Sequence, residues 1–234
     1  MKKSILAMVL GGLLPAYAQA GMGDDPILSK VMINQLEQRR TDGSDPLVVE
    51  AEGWVGKDLH KAWFKFDGER VGSDWESAQF QALYSRAVAP YWDLQIGVRH
   101  DARPAKETRD WLVLGARGLA PYFFDVDSAM YIGGNGNLGL GLQAEYEVML
   151  TQRLILAPEV RANLFARSDK AIDQGSGLAD TELGVRLRYE IQREFAPYIG
   201  INWEKRYAQT ADLVRAAGGK TDDVQFVIGI KSWF

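Results

Sequence analysis

Val224-Gln225-Phe226-Val227-Ile228-Gly229-Ile230-Lys231-Ser232-Trp233-Phe234 closes the chain. Read two residues at a time, it separates into Val224, Phe226, Ile228, Ile230, Ser232 and Phe234 on one side and Gln225, Val227, Gly229, Lys231 and Trp233 on the other. Successive side chains of a strand point to opposite faces, whereas a helix has a period of about 3.6 and would not sort these residues. The stretch is therefore a β-strand with one apolar face. Upstream, Leu183, Val185, Leu187, Tyr189 and Ile191 alternate with Glu182, Gly184, Arg186, Arg188 and Glu190. Leu138, Leu140, Leu142, Ala144, Tyr146 and Val148 alternate with Gly139, Gly141, Gln143, Glu145, Glu147 and Met149.

The same sorting gives about twelve candidate strands, near 31–40, 47–56, 60–70, 75–87, 91–101, 109–118, 122–132, 138–149, 153–165, 180–190, 197–207 and 223–234. The first is the weakest, since 31–40 also suits a short helix. The connections alternate in length. Gly56–Leu59, Val88–Pro90, Leu119–Pro121, Leu150–Gln152 and Gln192–Ala196 are short, while 41–46, 71–74, 102–108, 133–137, 166–179 and 208–222 tend to be longer and more polar. Strands of about ten alternating residues, with short turns at one end and longer loops at the other, are the pattern of an outer-membrane barrel. An even strand count returns both termini to the periplasmic end. Aromatic residues sit at both ends: Trp54, Trp92, Tyr122, Phe124, Tyr189, Tyr198, Trp233 and Phe234 beside the short turns, and Phe66, Trp75, Trp111, Tyr131, Phe165, Trp203 and Tyr207 toward the longer loops. Two such belts are expected at two membrane interfaces. The competing reading is a soluble β-sandwich with the aromatics in its core. The aromatic carboxyl terminus, Phe234, resembles the recognition signal of bacterial outer-membrane barrels and favours the barrel.

The start of the chain agrees. Met1-Lys2-Lys3 is a positive n-region, Ile5 to Leu14 an apolar run, and Ala18-Gln19-Ala20 a small-x-small cleavage pattern. The run is too short for a membrane helix, which needs about 20 residues, so it reads as a secretory signal peptide. The expected organisation is a cleaved signal peptide at 1–20, a short periplasmic tail at 21–29, and an all-β, antiparallel transmembrane β-barrel at 30–234. The location is the outer membrane of a Gram-negative bacterium, with its lipid as a partner.

Composition removes whole classes of function. Of 234 residues, 47% are hydrophobic and 25% charged, which excludes disorder. A net charge of -4 offers no basic surface for nucleic acid. There is no cysteine, so there are no disulfides, thiolate sites or iron–sulfur clusters. With only His60 and His100, a three-histidine zinc site cannot be built. If the apolar face meets lipid, the other face lines a lumen that collects Asp93, Arg99, Asp125, Asp127, Glu145, Glu147, Arg186 and Arg188, among other charges. At this density they either pair across a filled lumen or line a polar path for a small solute. The pairs Asp125/Asp127 and Glu145/Glu147 suit salt bridges or a cation held by oxygen. Gly133-Gly134-Asn135-Gly136-Asn137 reads as a hairpin loop and not a phosphate cradle, because no helix follows. His100-Asp101 invites a hydrolase reading, but no nucleophile motif surrounds Ser85 or Ser128, so an enzyme is not expected. Soft-metal donors are scattered over Met22, Met32, Met130, Met149, His60 and His100, with nothing in their spacing that names a metal.

A resemblance adds what spacing does not. Leu83-Tyr84-Ser85-Arg86-Ala87-Val88-Ala89-Pro90-Tyr91-Trp92-Asp93-Leu94-Gln95 and Gly97-Val98-Arg99-His100-Asp101 resemble the copper resistance protein B family. So do Leu119-Ala120-Pro121-Tyr122, Ala144-Glu145-Tyr146-Glu147, Leu150-Thr151-Gln152-Arg153-Leu154-Ile155-Leu156 and Glu182–Ile191. Arg193-Glu194-Phe195-Ala196-Pro197-Tyr198-Ile199-Gly200 and the closing Trp233-Phe234 extend the resemblance over roughly 30 to 234. It implies an outer-membrane barrel that binds copper ions and acts in copper homeostasis by sequestration or export, beside a periplasmic multicopper oxidase. Members often carry a Met- and His-rich segment before the barrel. Here Gly21 to Ser29 holds only Met22 and no histidine, so the implied copper ligands fall in the barrel: His100 and Met149 first, then Met32, Met130 and His60. The alternative is a structural or small-solute diffusion barrel without specific copper binding.

Overall fold

The computed structural model describes residues 26–41, 43–104, 106–134 and 136–234. The expected signal peptide, most of the expected tail and Met22 lie outside the described residues. Alternation folds into twelve strands: β1 (Leu28–Arg40), β2 (Pro46–Gly56), β3 (His60–Val71), β4 (Asp74–Ala89), β5 (Trp92–Ala102), β6 (Arg109–Ala120), β7 (Phe124–Gly133), β8 (Leu138–Glu145, resuming as Val148–Met149), β9 (Leu154–Phe165), β10 (Gly177–Tyr189), β11 (Phe195–Arg206) and β12 (Asp222–Trp233). Residues 31–40, which also suited a helix, form part of a strand. Each strand pairs antiparallel with its sequence neighbour. The ring then closes, because β12 pairs with β1 from Met32↔Trp233 to Arg40↔Phe226. Closure leaves no unpaired sheet edge among the described strands.

Burial is inverted relative to a water-soluble fold. Phe226, Ile228, Ile199 and Leu112 are 65%, 64%, 59% and 59% exposed, whereas Glu37, Asn202 and Arg186 are 1%, 0% and 6% exposed. Apolar surface left in water costs about 25 cal/mol per Å². A closed sheet with this outer wall is stable only where that wall meets hydrocarbon, which eliminates the sandwich.

The inner wall also holds rings that the sequence pattern assigned to the interfacial belts. Trp111, Tyr131 and Tyr198 are buried inside at 4%, 8% and 4% exposure. They occupy the inward phase of their strands, so the two belts contain fewer rings than the sequence suggested. Trp63, Leu83, Trp111, Val113, Ala129 and Tyr131 form an apolar cluster within the barrel, with Met32, Trp54 and Phe165 packed against it. The Tyr131 ring lies over Gly139 and Gly141, where a Cβ on Gly141 would stand 3.0 Å from it. The Arg99 guanidinium is 4.4 Å from the Tyr131 ring centroid.

At the end bearing the termini the connections are 57–59, 90–91, the 3₁₀ turn Pro121–Phe123, 150–153 and 190–194. At the other end they are 41–45, 72–73, 103–108, 134–137, 166–176 and 207–221. Residues 72–73 form a tight hairpin that uses Gly72 at φ 58. Segment 166–176 contains a 3₁₀ turn, Lys170–Ile172, and 207–221 contains an α-helix, α1 (Ala208–Ala216). The sequence pattern had shown that helix only as part of a long polar loop.

Candidate functional site: the charged lumen

Strand alternation alone places charges inside, and the barrel's small bore brings them together. Glu37 on β1 is the centre of one lattice, with its side chain fully enclosed. Its carboxylate accepts from Arg39 Nε at 2.8 Å, Arg186 Nε at 2.9 Å, Arg186 Nη2 at 3.0 Å and Tyr198 Oη at 2.9 Å. Arg186 also donates to Glu159 at 2.8 Å, and Glu159 accepts from Gln35 at 2.9 Å, Gln143 at 2.9 Å and Arg161 Nε at 2.6 Å. Arg161 on β9 spans the bore to Glu50 on β2. Arg39 pairs with Glu182 at 2.8 Å.

A second group lies alongside. Arg117 on β6 holds Glu52 on β2 at 2.5 and 3.0 Å, with its guanidinium 4.9 Å from the Trp63 ring centroid. Lys65 on β3 holds Asp127 on β7 at 2.5 Å. Toward the termini, Arg188 pairs with Glu147 at 2.6 Å, Lys231 with Glu145 at 3.2 Å and Lys61 with Asp93 at 3.5 Å. Toward the long loops, Arg99 grips Asp101 at 2.6 and 2.9 Å, and Trp111 Nε1 donates to Asp101 at 3.0 Å.

Several of these pairs join strands that are not neighbours in the ring: β1 to β10, β2 to β6, β2 to β9, β3 to β7 and β8 to β12. They run as chords through a lumenal cavity of about 2100 Å³. Buried charges are tolerated only when paired and hydrogen-bonded, and such networks stiffen as their members are satisfied; here the charges of the lattice are paired, while Gln35 Oε1 is left without a partner. The lattice therefore sets the shape and polarity of whatever path the lumen offers. Its walls present carboxylate and amide oxygens, which are hard donors, interleaved with the guanidinium and ammonium groups that already engage most of the carboxylates.

The expected lumen charges Asp93, Arg99, Asp125, Asp127, Glu145, Glu147, Arg186 and Arg188 all occupy inward positions. Sequence reading missed Glu37, Arg39, Glu50, Glu52 and Arg117. On β1 the reason is a bulge between Ile33 and Gln35, which shifts the phase of the alternation. The extra residue, Asn34, donates to Glu52 at 3.1 Å. On β6, Trp111 and Val113 share the inward phase with Arg117, so that face does not read as polar.

The expected metal ligands are dispersed. His100 is on the outer wall in phase with Val98, with Nδ1 2.6 Å from Asp110 Oδ1. His60 is also outside, with Nδ1 2.5 Å from Tyr84 Oη. Met130 faces outward between the inward Ala129 and Tyr131. Met149 occupies an inward position opposite Ile155 at the end bearing the termini, where it is 74% exposed. Met32 lines the lumen. Among the described residues, no three His, Cys, Asp or Glu side chains are grouped to hold a metal ion.

Residues 27–234 match the family model described as copper resistance protein B precursor (CopB). Copper resistance protein B of Escherichia coli is 42% identical over 211 residues, covering 90% of this chain and 71% of that protein. A copper resistance protein B homolog of Pseudomonas syringae pv. tomato is 35% identical over 211 residues, with the same shares covered. Among solved structures, a NanC porin superposes with a TM-score of 0.56 at 12% identity, covering 88% of this chain and 99% of that one, a likeness of fold.

Proposed function

The chain belongs to the copper resistance protein B family, and from that premise we propose that this outer-membrane barrel takes copper ions as its cargo and lowers the periplasmic copper load by sequestration or export. The family match across 27–234 carries the reading. The lumen supports it by supplying oxygen donors along its length. No step of this reading requires catalysis by the barrel.

In this reading copper meets the barrel from the periplasm. Met149 at that mouth and Met32 within the lumen are the thioethers beside the path, and thioethers favour Cu(I). Beyond them, the donors are carboxylates and amides, which favour hydrated Cu(II). A periplasmic multicopper oxidase, which turns Cu(I) into Cu(II), is the partner that fits this change of donors. His100, His60 and Met130 stand on the outer wall and play no part in the proposed path.

A second reading has its own support. The lattice charges satisfy one another, as they would in a structural or small-solute diffusion barrel without specific copper binding. Copper survival of a deletion strain, complemented with the wild-type chain or with Met32→Leu/Met149→Leu, separates the two. The copper reading expects the deletion to raise sensitivity to copper and not to detergent, with only partial rescue by the double variant. Equal sensitivity to both stresses would favour the plain barrel.

A further inference from the structure

Three connections at the end opposite the termini are folded onto one another. Arg103 Nη1 donates to the Ile172 carbonyl at 2.8 Å, and Lys106 pairs with Asp173 at 2.7 Å. Arg109 grips Asp169 through Nε at 2.8 Å and Nη2 at 3.2 Å. These contacts tie Arg103, Lys106 and the first residue of β6, Arg109, to 166–176. The Gly175 amide then donates to Thr210 Oγ1 at 2.9 Å, and Ser176 Oγ to Gln209 Oε1 at 3.3 Å, which ties 166–176 to α1. Ile172, Ala211 and Val214 are buried on the underside. Ile172, Gln174, Thr210 and Val214 roof the lumenal cavity, with Ala179 and Asp180 as the wall beneath.

The joints of this cap are unusual. Ala208, where β11 passes into α1, has φ 43, and Asp173 has φ 53. Gly177 and Gly218, at the far joints of the two segments, have φ 85 and 80. A left-handed alanine is strained, and such strain concentrates in hinges and switching segments. The Lys106–Asp173 pair is partly exposed, with side chains at 34% and 26%, so water can replace it at small cost.

We propose that Arg103, Lys106 and the segments 166–176 and 207–221 form a lid over the extracellular mouth, clasped by Arg109–Asp169 and Lys106–Asp173, and that the lid governs passage between the lumen and the outside. Long loops mark the extracellular end of such barrels. The lid goes beyond the copper reading and stands without it.

The chain has no cysteine, so a single introduced thiol is a clean reporter. Val214→Cys places it on the underside of the lid, and Arg215→Cys places a control on its exposed face. Intact cells are treated with a maleimide on a polymer too large for general porins. With the clasps intact, Val214→Cys reacts slowly; with Asp169→Asn/Asp173→Asn it reacts at least tenfold faster, while Arg215→Cys reacts equally in both backgrounds. In a planar bilayer with potassium chloride, Asp169→Asn/Asp173→Asn raises conductance. A bismaleimide bridging Lys106→Cys and Asp173→Cys lowers it. If Val214→Cys labels equally in both backgrounds, or conductance is the same in all three proteins, there is no lid. Neither readout involves copper, so failure here leaves the copper reading standing.

Discussion

Replacing Glu37 by glutamine tests whether the lumenal lattice holds the barrel's shape. The substitution keeps size and removes one charge. Glu37 takes donations from Arg39, Arg186 and Tyr198 in a fully enclosed position. Breaking a buried pair by removing one partner costs about 3–5 kcal/mol, because the remaining charge stays buried without its counter-ion. Here two arginines lose that partner. Arg186 retains Glu159 and Arg39 retains Glu182, which places the expected loss near the lower limit, about 3 kcal/mol. The contrast is Arg40→Ala, which removes an exposed pair with Asp45 at 3.7 Å and is worth about 0–1 kcal/mol. The assay is urea unfolding of protein refolded into lipid vesicles, followed by tryptophan fluorescence. A Glu37→Gln loss below about 1 kcal/mol, no larger than that of Arg40→Ala, would refute the reasoning. A double-mutant cycle with Arg186→Met separates the pair's own coupling from general disruption.

Other consequences are equally specific. The Arg109 guanidinium hydrogen-bonds Asp169 and holds its carboxyl below the usual carboxylate range. A group depressed in the folded state contributes above its unfolded value of about 3.9, and the contribution fades as pH falls through the lower folded value. Protection of the 166–176 amides, meaning exchange relative to an unfolded chain at the same pH, should therefore stay high at neutral pH and fall only below about pH 4; equal protection at pH 3 and pH 7 would deny the clasp. Gly141→Val should push the Tyr131 ring off its seat and cost about 1–3 kcal/mol, read by the same urea assay. Leu114→Arg, on the outer wall, should cost about 2–4 kcal/mol in lipid, whereas a wall facing water would tolerate it. His100→Ala should leave copper survival unchanged, since its ring lies outside beside Asp110.

Most of the barrel was legible because period-2 alternation is imposed by covalent geometry and sharpened by two different solvents. Val224 to Phe234 and Thr181 to Ile191 announced their inner and outer faces directly. What the sequence concealed came from departures from that period. The β1 bulge at Ile33–Gln35 hid Glu37 and Arg39, the centre of the lattice. Inward rings such as Trp111 and Tyr131 looked like interfacial belt residues, because a small bore packs aromatics inside as readily as a membrane interface does outside. The folded cap was illegible for another reason. Its clasps join residues such as Arg109 and Asp169, far apart in sequence, through geometry that only the closed ring creates.

The most direct test of the central claim is an equilibrium titration of the refolded barrel with copper in each oxidation state, against a competing chelator, beside Met32→Leu/Met149→Leu. A copper-handling barrel binds copper in stoichiometric amount, with affinity for Cu(I) at least tenfold weaker in the variant. No binding above the chelator in either state, or Cu(I) binding indifferent to the loss of both thioethers, would contradict the account.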